Sequence, residues 1–312
     1  MEKGQIISLG SINKDIQVRA ERWPEPGETL MVTDLLTLGG GKAANRSYLT
    51  CKLGAPSLLV ARVGDDDEAE EALRSLKKVG VNLDHVKRLP GQRTGLSMIA
   101  VRPDGNKTIL LAANANENWE EEGADAVGKV ILEAPEGSVL ALDLEISDPV
   151  IQKALEAAKE RKFKIIMDPS PTSKFQDTYF KIADILTPNQ SEAESLVGFE
   201  IESIEDGFSA CEAIIEKGAR RSLVKLGNNG YVFMAKGKKI HLPALEAKVM
   251  DTTGAGDAFA GAFAFAIWEG QKIPDAVRFA AAASTLAVEG YGSQPAYPDR
   301  KAIEKKLKEY EG

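Results

Sequence analysis

A loop of small residues that leads into an apolar segment is the part of the sequence best suited to chemistry. Residues 251–257 read Asp-Thr-Thr-Gly-Ala-Gly-Asp, and the apolar segment that follows, ending at Trp268, predicts a buried helix. Gly254 and Gly256 leave backbone N–H groups bare at the first turn of that helix, where the helix dipole also favours negative charge. The carboxylate of Asp257 lies in the same turn and could take the proton of a hydroxyl that attacks phosphate. The pattern indicates phosphoryl transfer to an alcohol; the alternative is an ordinary loop with a capped helix start.

A run of three glycines marks a second candidate site. Residues 39–41 are all glycine and precede a predicted helix at residues 41–53, so the backbone there could approach a ligand closely and flex as a hinge. Lys42 and Asn45 lie at the start of this helix, within reach of a polar ligand. The segment does not match the GxxxxGK[ST] pattern of a phosphate-binding P-loop. The alternative is a tight turn with a solvated lysine.

Short polar side chains follow two predicted strands. Asn13 and Asp15 come after the strand at residues 5–9, and Glu145 follows the strand at residues 139–142. Ligands of open α/β sheets bind beyond the carboxyl ends of the strands, so these side chains could hold sugar hydroxyls. For Asn13 and Asp15 the alternative is a turn.

Two further segments could contact a nucleotide. Asn189 either caps a helix or lies with Glu192 on one face near phosphate, where the two organise Mg²⁺ and its waters. Residues 225–230, Lys-Leu-Gly-Asn-Asn-Gly, form either a hairpin turn or a glycine-rich loop against a nucleotide. His85 and His241 each stand alone, which gives a zinc site little support, and no nucleophilic serine elbow is recognisable.

Length, charge and cysteine content narrow the class of protein. The 312 residues suit one large α/β domain, and the formal net charge of -8 argues against nucleic acid and anionic membranes as partners. Cys51 and Cys211 are far apart in the sequence and predict packed thiols rather than a disulfide. Because we find neither a signal peptide nor an apolar run of roughly 20 residues, we expect a cytoplasmic protein.

Strands and helices alternate along most of the chain, which predicts an α/β fold with a mostly parallel sheet and helices on both faces. The early extended segments lack crossover helices and predict a small separate sheet over the mouth of the main one. This predicted lid comprises residues 12–38 and about 94–111. The last part of the chain predicts helices at residues 257–268, 274–288 and 300–310.

In this order the motifs resemble the ribokinase (PfkB-type) carbohydrate kinase family over nearly the whole chain, so residues 1–312 are expected to form a single kinase domain. Residues 251–257 are the most specific of the matching signatures, and the first segment and the Gly-Gly-Lys element are most similar to the ribokinase members of the family. The matching segments are residues 9–15, 26–29, 40–45, 186–194, 251–257, 288 and 292–295.

The resemblance implies a ribokinase-like fold and an ATP- and Mg²⁺-dependent sugar kinase, with a homodimer formed through the lid. D-Ribose is the expected acceptor and ribose 5-phosphate the product; a nucleoside, another pentose or ketohexose, or a sugar phosphate are the alternatives. Asp257 would be the base, and Gly254, Ala255 and Gly256 the anion hole. The residues implied for the sugar site are Asn13, Asp15, Gly41, Lys42, Asn45, Glu145 and Asp257. Those implied for the nucleotide are Asn189, Glu192, Lys225, Gly227, Gly230 and Gly256, with Glu192 acting on Mg²⁺ indirectly.

The resemblance also implies a monovalent cation, K⁺, beside the anion hole. The matching positions are Asp251, Thr253, Ala287, Gly290 and Gly292, largely through backbone oxygens. The chain departs from the family in three places. Ala296 replaces a serine that is usual in ribokinases, and Ala43 replaces a glycine, which stiffens the turn and could narrow the sugar pocket. Arg46 replaces an uncharged residue and indicates either a charged or larger substrate or a side chain in solvent.

Two other function classes fit the sequence less well. A nicotinamide-dependent oxidoreductase could use a similar sheet, but no GxGxxG follows the first strand. A non-catalytic sugar or nucleotide sensor would need to keep neither Asp257 nor the anion hole, and both are intact.

Overall fold

Two sheets and their flanking helices make up the fold. The computed structural model describes residues 4–235 and 237–308, and within these ranges the chain forms thirteen strands and ten helices. The strands are β1 Ile6–Leu9, β2 Asn13–Arg19, β3 Thr33–Gly40, β4 Ser57–Gly64, β5 Asn82–Leu89, β6 Gly95–Val101, β7 Lys107–Ala112, β8 Val139–Leu142, β9 Lys164–Met167, β10 Ile185–Leu186, β11 Arg221–Lys225, β12 Tyr231–Ala235 and β13 Lys238–Leu242. The helices are α1 Lys42–Lys52, α2 Asp67–Val79, α3 Glu121–Glu133, α4 Asp148–Glu160, α5 Asp177–Ile182, α6 Gln190–Val197, α7 Ile204–Glu216, α8 Ala255–Trp268, α9 Ile273–Ala287 and α10 Arg300–Leu307.

The main sheet has nine strands in the order β13-β12-β11-β10-β9-β8-β1-β4-β5. All neighbours are parallel except β12 and β13, which add an antiparallel hairpin at one edge. In the centre, Ile6 of β1 pairs with Ser57 of β4 and Val139 of β8. These three strands are buried along their whole length, as expected for parallel strands covered on both faces. The prediction of a mostly parallel sheet is confirmed.

Helices cover both faces of the main sheet. On one face α3, α4, α6 and α7 pack over an apolar cluster that includes Leu142 and Ile165, and on the other α1, α8 and α9 pack over a second cluster. Helix α8 lies deepest, because every residue from Asp257 to Ala266 is buried. A helix that is apolar on all sides is stable only when it is enclosed in this way. The enclosed helix supplies a rigid base for the residues at its amino end.

The small sheet has four strands in the order β3-β2-β6-β7. Strands β2 and β6 are parallel, and the other two pairs are antiparallel. The register puts Asp15 beside Ser97 and Ser97 beside Leu111, so alternate residues of these strands share one face. That inner face turns towards the carboxyl ends of the main-sheet strands. A small separate sheet was expected from the early extended segments, and the structure confirms it.

Three elements escape prediction from the sequence: strand β5, helix α3 and the short helix α5. Strand β5 lies at the edge of the main sheet and is largely exposed, so its sequence carries no apolar run. Helix α3 contains Gly123 and Gly128, which weaken the helical pattern. Helix α10 ends at Leu307, and the last residues of the helix expected at 300–310 lie outside the described part of the chain. Among the described helices, none combines the length and apolarity needed to cross a membrane.

Candidate active site

A cavity of about 240 Å³ lies between the carboxyl edge of the main sheet and the inner face of the small sheet. Seven of its lining residues are those expected to bind a sugar, and they come from strands and helices far apart in the sequence. These are Asn13, Asp15, Gly41, Lys42, Asn45, Glu145 and Asp257. Other lining residues were not expected from the sequence. They include Ser97 and Ile99 of β6, Lys107, Ile109 and Leu111 of β7, and Thr252.

Asp257 is the third residue of α8 and opens onto this cavity. Its Oδ2 accepts a hydrogen bond of 2.8 Å from Asn45 Nδ2, and Asn45 Oδ1 accepts one of 3.0 Å from Gln294 Nε2. Asp257 Oδ1 receives no hydrogen bond from the described residues. One oxygen is therefore fixed by the protein, while the other is left for a group that enters the cavity.

The turn before α8 can be built only with glycine. Gly254 has a φ of 72°, and a Cβ atom at this position would lie 2.6 Å from the Tyr297 hydroxyl and 2.7 Å from Ser293 Cβ. The Tyr297 hydroxyl donates a hydrogen bond of 3.0 Å to the carbonyl of Gly254. This packing holds the first turn of the helix in one position relative to the cavity.

Free N–H groups are present at the start of α8, including those of Gly254 and Gly256 that the sequence indicated. The N–H of Ala255 donates to the Thr252 carbonyl at 3.3 Å, whereas those of Gly254, Gly256 and Asp257 have no acceptor among the described residues. Lys225 Nζ lies 3.9 Å from the point that a Cβ atom of Gly256 would occupy. Three free amides, a lysine and the helix dipole thus combine into a site for an anion.

Burial changes the chemistry of the two carboxyl groups that face Asp257 across the cavity. Burial raises the pKa of Asp15 to about 7, against the lowering effect of a hydrogen bond with Ser97. Burial likewise raises the pKa of Glu145 to about 7, although the charge of Lys42 opposes the rise. Ser11 Oγ donates a hydrogen bond of 2.6 Å to Glu145 Oε2. Both carboxyl groups are therefore partly protonated near neutral pH, and donor hydroxyls of a ligand would favour their charged form.

Lys42 remains a cation in spite of its burial. Its Nζ lies 3.1 Å from Asp168 Oδ2, and its backbone N–H donates to Ser11 Oγ at 2.9 Å. Burial opposes the charge, but the carboxylates of Asp168 and Asp257 outweigh it and raise the pKa of Lys42 well above its usual value. Asp168 follows strand β9 and could have been found by the signal that identified Glu145, a polar residue just after a buried strand.

The small size of Gly41 and Ala43 matters for packing within the protein and not for the volume of the cavity. A Cβ atom on Gly41 would lie 2.6 Å from the Ser11 carbonyl, so the close approach that this glycine permits is to the backbone after β1. Ala43 is fully buried in an apolar cluster with residues of α2 and β4, including Leu59. The expectation that Ala43 could narrow the sugar pocket is therefore wrong.

The interpretation of Arg46 as a side chain in solvent is wrong, and its position lends no support to a charged or larger substrate. Its side chain is 1% exposed, so it faces neither solvent nor the cavity. Arg46 Nη2 lies 2.8 Å from Asp143 Oδ2 and donates a hydrogen bond of 3.2 Å to the Leu9 carbonyl. Asp143 Oδ1 in turn accepts a hydrogen bond of 3.0 Å from the Glu145 N–H. The buried ion pair anchors the loop that carries Glu145.

Asn189 and Glu192 cap helix α6. Asn189 Oδ1 accepts a hydrogen bond of 2.9 Å from the Glu192 N–H, and Glu192 Oε2 accepts one of 2.8 Å from the Asn189 N–H. This reciprocal capping box accounts for both residue types. Asn189 also lines the cavity, whereas Glu192 does not.

The segment from Lys225 to Gly230 turns β11 into β12. Gly230 has a φ of 80°, and a Cβ atom there would lie 2.1 Å from the Leu242 carbonyl. Gly227 also has a positive φ, of 57°. The turn interpretation therefore explains both glycines, and contact with a nucleotide stays a prediction.

The segment expected to hold K⁺ is brought together by the fold. The N–H groups of Met250 and Asp251 donate to the Val288 carbonyl at 2.8 and 3.3 Å, next to the turn that contains Gly290 and Gly292. Asp251 is fully buried, and its Oδ2 accepts from Gln17 Nε2 at 2.7 Å and from the Gly292 N–H at 2.9 Å.

Oxygen atoms suited to a cation remain at this place. Thr253 Oγ1 and Ser293 Oγ are buried without hydrogen-bond partners in the described residues. A Cβ atom on Gly290 would lie 2.6 Å from Ala296 Cβ, so Ala296 packs directly against the turn that contains Gly290. The described residues contain no cluster of three His, Cys, Asp or Glu side chains that could hold a metal. The site fits K⁺ through oxygen atoms, and Mg²⁺ would be held mainly through phosphate and water.

Lys107 joins the small sheet to the loop before α8. Its Nζ donates hydrogen bonds of 2.8 Å to the Thr252 carbonyl and 3.2 Å to Thr252 Oγ1. Thr252 Oγ1 donates one of 2.8 Å to the carbonyl of Gly105, in the turn between β6 and β7. Burial lowers the pKa of Lys107, while Asp251 and Asp257 raise it in part. The motifs did not single out Lys107, because it carries no local pattern.

Known proteins share both the sequence and the fold. Residues 3–300 match the sequence model of the pfkB family of carbohydrate kinases. Ribokinase from Arabidopsis thaliana is 34% identical over 311 residues, which cover 97% of this chain and 81% of that protein. Deoxyribokinase from Salmonella typhi is 28% identical over 294 residues, covering 94% of this chain and 95% of that protein.

Two solved ribokinase structures have a fold similar to that of this chain. The structure of Arabidopsis thaliana ribokinase complexed with ribose and ATP superimposes with a TM-score of 0.88 at 34% identity and covers 98% of this chain and 99% of that one. Ribokinase from Thermotoga maritima superimposes with a TM-score of 0.84 at 32% identity, again covering 98% and 99%.

Proposed function

Because this chain belongs to the pfkB family of carbohydrate kinases, we propose that it transfers the terminal phosphoryl group of ATP to D-ribose and forms ribose 5-phosphate. The observation that carries the proposal is the placement of Asp257. One of its oxygens is held by Asn45, the other is free in the cavity, and the free N–H groups of α8 lie in the same turn. The similarity to a ribokinase that binds ribose and ATP supports the choice of substrates.

In the proposed reaction Asp257 takes the proton of the sugar hydroxyl. The hydroxyl oxygen forms a bond to the terminal phosphorus of ATP, and the bond from that phosphorus to the bridging oxygen breaks, leaving its electron pair on ADP. The free N–H groups of Gly254, Gly256 and Asp257 stabilise the charge on the transferred group, whereas Ala255, expected as part of the anion hole, donates its N–H to Thr252. Phosphoryl transfer depends mainly on such positioning and charge stabilisation, and a positioned base contributes about 10²–10⁴-fold.

The sugar would be held by the polar side chains around Asp257. Asn13, Asp15, Lys42 and Glu145 line the cavity and present donors and acceptors for hydroxyls. A volume of about 240 Å³ is smaller than the ~300–1,000 Å³ of pockets for drug-sized ligands, which favours a small polar acceptor. The second candidate acceptor is a sugar phosphate, because Lys107 places a second cation on the cavity wall.

The nucleotide would lie beyond the amino end of α8. Lys225 and Gly256 face each other there, and Asn189 lies on the cavity wall nearby. Gly227 and Gly230 would contact the base or ribose of ATP, and Glu192 would act on Mg²⁺ through water. Mg²⁺ neutralises phosphate charge when it is bound. K⁺, held by oxygens around Asp251, Thr253, Ala287, Gly290 and Gly292, would fix the loop that forms the anion site.

The small sheet would serve as a lid on a single kinase domain. Its segments, residues 12–38 and about 94–111, wall the cavity with Asp15, Ser97 and Lys107. A closed lid excludes water and so protects ATP from hydrolysis. The outer face of the same sheet supports the proposed homodimer, since Leu35 and Leu110 are 72% and 61% exposed.

The test is ADP release with ATP and Mg²⁺ over a panel of acceptors, each with and without K⁺. The panel contains ribose, deoxyribose, fructose, nucleosides and sugar phosphates. We expect the highest kcat/KM with ribose and a gain in rate with K⁺. A clear preference for a sugar phosphate would replace ribose by the second candidate, and no turnover with any acceptor would contradict the proposed function.

The same assay tests the base. Asp257→Asn should lower kcat by about 10²–10⁴-fold and leave ADP affinity nearly unchanged. Asp275→Asn, which alters an exposed aspartate in the first turn of α9, is the matched control and should behave like the parent. Turnover of Asp257→Asn within about threefold of the parent would exclude Asp257 as the base.

A further inference from the structure

A second cavity, of about 670 Å³, shares no lining residue with the candidate active site. Its walls are one face of α2, the end of β3 and the short turn around Gln294. Helix α2 contributes residues at positions 71, 74, 75, 78 and 79, a spacing that places them on a single side of the helix. The sugar and nucleotide sites proposed above use none of these residues.

The charges of this cavity are unbalanced. Glu71 is paired with Lys14 of β2, whose Nζ lies 2.9 Å away. Arg74 and Lys78 are exposed and form no ion pair with any described residue. Two unneutralised cations, one turn apart on a chain with a net charge of -8, make this rim a local site for an anion.

The inner part of the cavity is apolar. Leu38, Tyr48, Val79 and Pro295 form its wall, and Tyr48 is half-buried. A guanidinium group binds phosphate through two parallel hydrogen bonds, whereas an apolar wall accepts a ring or an alkyl group. The cavity therefore fits a ligand that carries both a phosphate and an apolar body.

A chain of hydrogen bonds leads from this cavity to the proposed base. Ser75 Oγ, on the cavity wall, donates to Gln294 Oε1. Gln294 Nε2 donates to Asn45 Oδ1 at 3.0 Å, and Asn45 Nδ2 donates to Asp257 Oδ2 at 2.8 Å. Gln294 and Asn45 are 2% and 3% exposed, so solvent does not interrupt this chain of hydrogen bonds. A displacement of the Ser75 or Gln294 side chain is therefore transmitted to Asp257.

We propose that this cavity is an effector site for a small organic phosphate with an apolar or aromatic body, and that its occupancy changes turnover through Gln294 and Asn45. Contact of the ligand with Ser75 or Gln294 alters the hydrogen bond that orients Asp257. The effect on turnover rests on the proposed function of Asp257, whereas binding to the cavity does not.

Binding is tested by calorimetry with phenyl phosphate as the probe. The protein is first saturated with ribose and a non-hydrolysable ATP analogue, so that the active site is filled. We expect one site per chain with a Kd of about 10 µM to 1 mM, and binding at least about tenfold weaker for phenol and for inorganic phosphate alone. Absence of binding at about 10 mM would overturn the proposal.

Substitutions on α2 localise the probe. Arg74→Ala and Lys78→Ala should each weaken binding by about tenfold, and both side chains are exposed, so the variants should fold. Lys77→Ala is the matched control, because Lys77 is an exposed cation of the same helix that pairs with Glu70 and does not line the cavity. Equal affinity of the control and of the variant that combines Arg74→Ala with Lys78→Ala would place the probe elsewhere and refute the site.

Coupling is tested separately by turnover. Phenyl phosphate should change kcat or KM of the parent by about twofold or more at saturation. Ser75→Ala should bind the probe within about threefold of the parent but lose most of this change. Binding without any effect on the parent would refute the coupling, and an undiminished effect in Ser75→Ala would refute the hydrogen-bonded route.

Discussion

Asp15 and Glu145 show how burial changes the chemistry of a single residue. Both carboxyl groups are buried at the wall of the cavity, and burial raises the pKa of each to about 7. Asp15 Oδ1 has no hydrogen-bond partner within the described residues, so its charged form is poorly stabilised until a ligand donates a hydrogen bond. The cavity is thus prepared for a ligand rich in hydroxyls at a cost to the stability of the free protein.

The free energy of unfolding of Asp15→Asn, relative to that of the parent, should depend on pH. A folded-state pKa of about 7 against an ordinary 3.8 means that the neutral form of Asp15 favours folding; the contribution is complete below about pH 3.8 and is lost as the pH rises through about 7. The neutral asparagine avoids this loss. The stability of Asp15→Asn relative to the parent should therefore grow between about pH 4 and pH 7, by up to about 4 kcal/mol, and then level off.

Urea unfolding of the free proteins across this pH range measures the difference. The same variant should have a lower kcat/KM for sugar, because a carboxylate that accepts hydrogen bonds from hydroxyls is lost. Asp275→Asn, at an exposed position, serves as the control. A difference in stability that does not vary with pH would contradict the raised pKa of Asp15.

Arg46 shows the limits of judging a residue by its type. A cation near the sugar site suggests a charged substrate, but Asp143 neutralises it within the protein interior. Replacing one partner of such a buried pair leaves the other charge uncompensated and is strongly destabilising. The unusual residue at position 46 is matched by Asp143 and requires no unusual substrate.

Among the structural elements, the hairpin of β6 and β7 has the most direct link to the proposed catalytic loop. Lys107 and the Gly105 carbonyl both bond to Thr252, and Gln17 of β2 bonds to Asp251. The small sheet is thus attached at two points to the segment that leads into α8. Closure of the proposed lid and placement of the anion site are joined by these contacts.

Lys107→Met should weaken this attachment. We expect kcat/KM for sugar to fall by about tenfold or more, because the variant loses both the bonds to Thr252 and a cation on the cavity wall. Lys107→Arg should recover part of the loss, since a guanidinium can donate to the same oxygens. Steady-state kinetics with sugar and ATP varied in turn make the comparison.

Lys14→Ala is the control for this element, since Lys14 lies on the same sheet but pairs with Glu71 away from the cavity. It should keep the kinetics of the parent within about twofold. If Lys107→Met also kept them, the attachment to Thr252 would have no part in turnover.

At the scale of the whole molecule, the outer face of the small sheet is the feature that calls for a partner. Met98 pairs with Leu110 across β6 and β7, and Ile16 of β2 pairs with Met98 on its other side. Leu35 of β3 extends the same apolar face, and Leu35, Met98 and Leu110 are 72%, 48% and 61% exposed. A second copy of this chain could cover these side chains, as the proposed homodimer requires.

Leu35→Lys combined with Leu110→Lys should separate such a dimer. Sedimentation equilibrium should show a dimer for the parent and a monomer for the double variant, with the circular dichroism spectrum unchanged because both positions are exposed. Leu132→Lys, at an exposed position of α3, should remain dimeric. A monomeric parent at micromolar concentration would contradict the dimer proposal.

Local patterns were sufficient to predict much of the fold and of the candidate site. The strands expected at 139–142 and 164–167 coincide with β8 and β9, because continuous apolar runs are typical of parallel strands. Asp257 and Asn45 were identified because each follows a glycine turn at the start of a helix. Glu145 was identified because it follows the end of a strand, where ligands of α/β sheets bind. Strand β5 and helix α3 were not found, since their residues carry mixed patterns that only their neighbours in the sheet resolve.

The sequence by itself determined the family, the alternation of strands and helices, and seven of the residues that line the cavity, since motifs of a few residues encode turns, caps and periodicity. Only the tertiary structure decided the partners of those residues. Arg46 meets Asp143, Lys107 meets Thr252, and Gln294 meets Asn45 across long stretches of chain. These pairs depend on how the strands are ordered in two sheets, and no local pattern carries that information. The proposed effector cavity was likewise decided only by the tertiary structure, because the residues of its walls become neighbours only when the chain has folded.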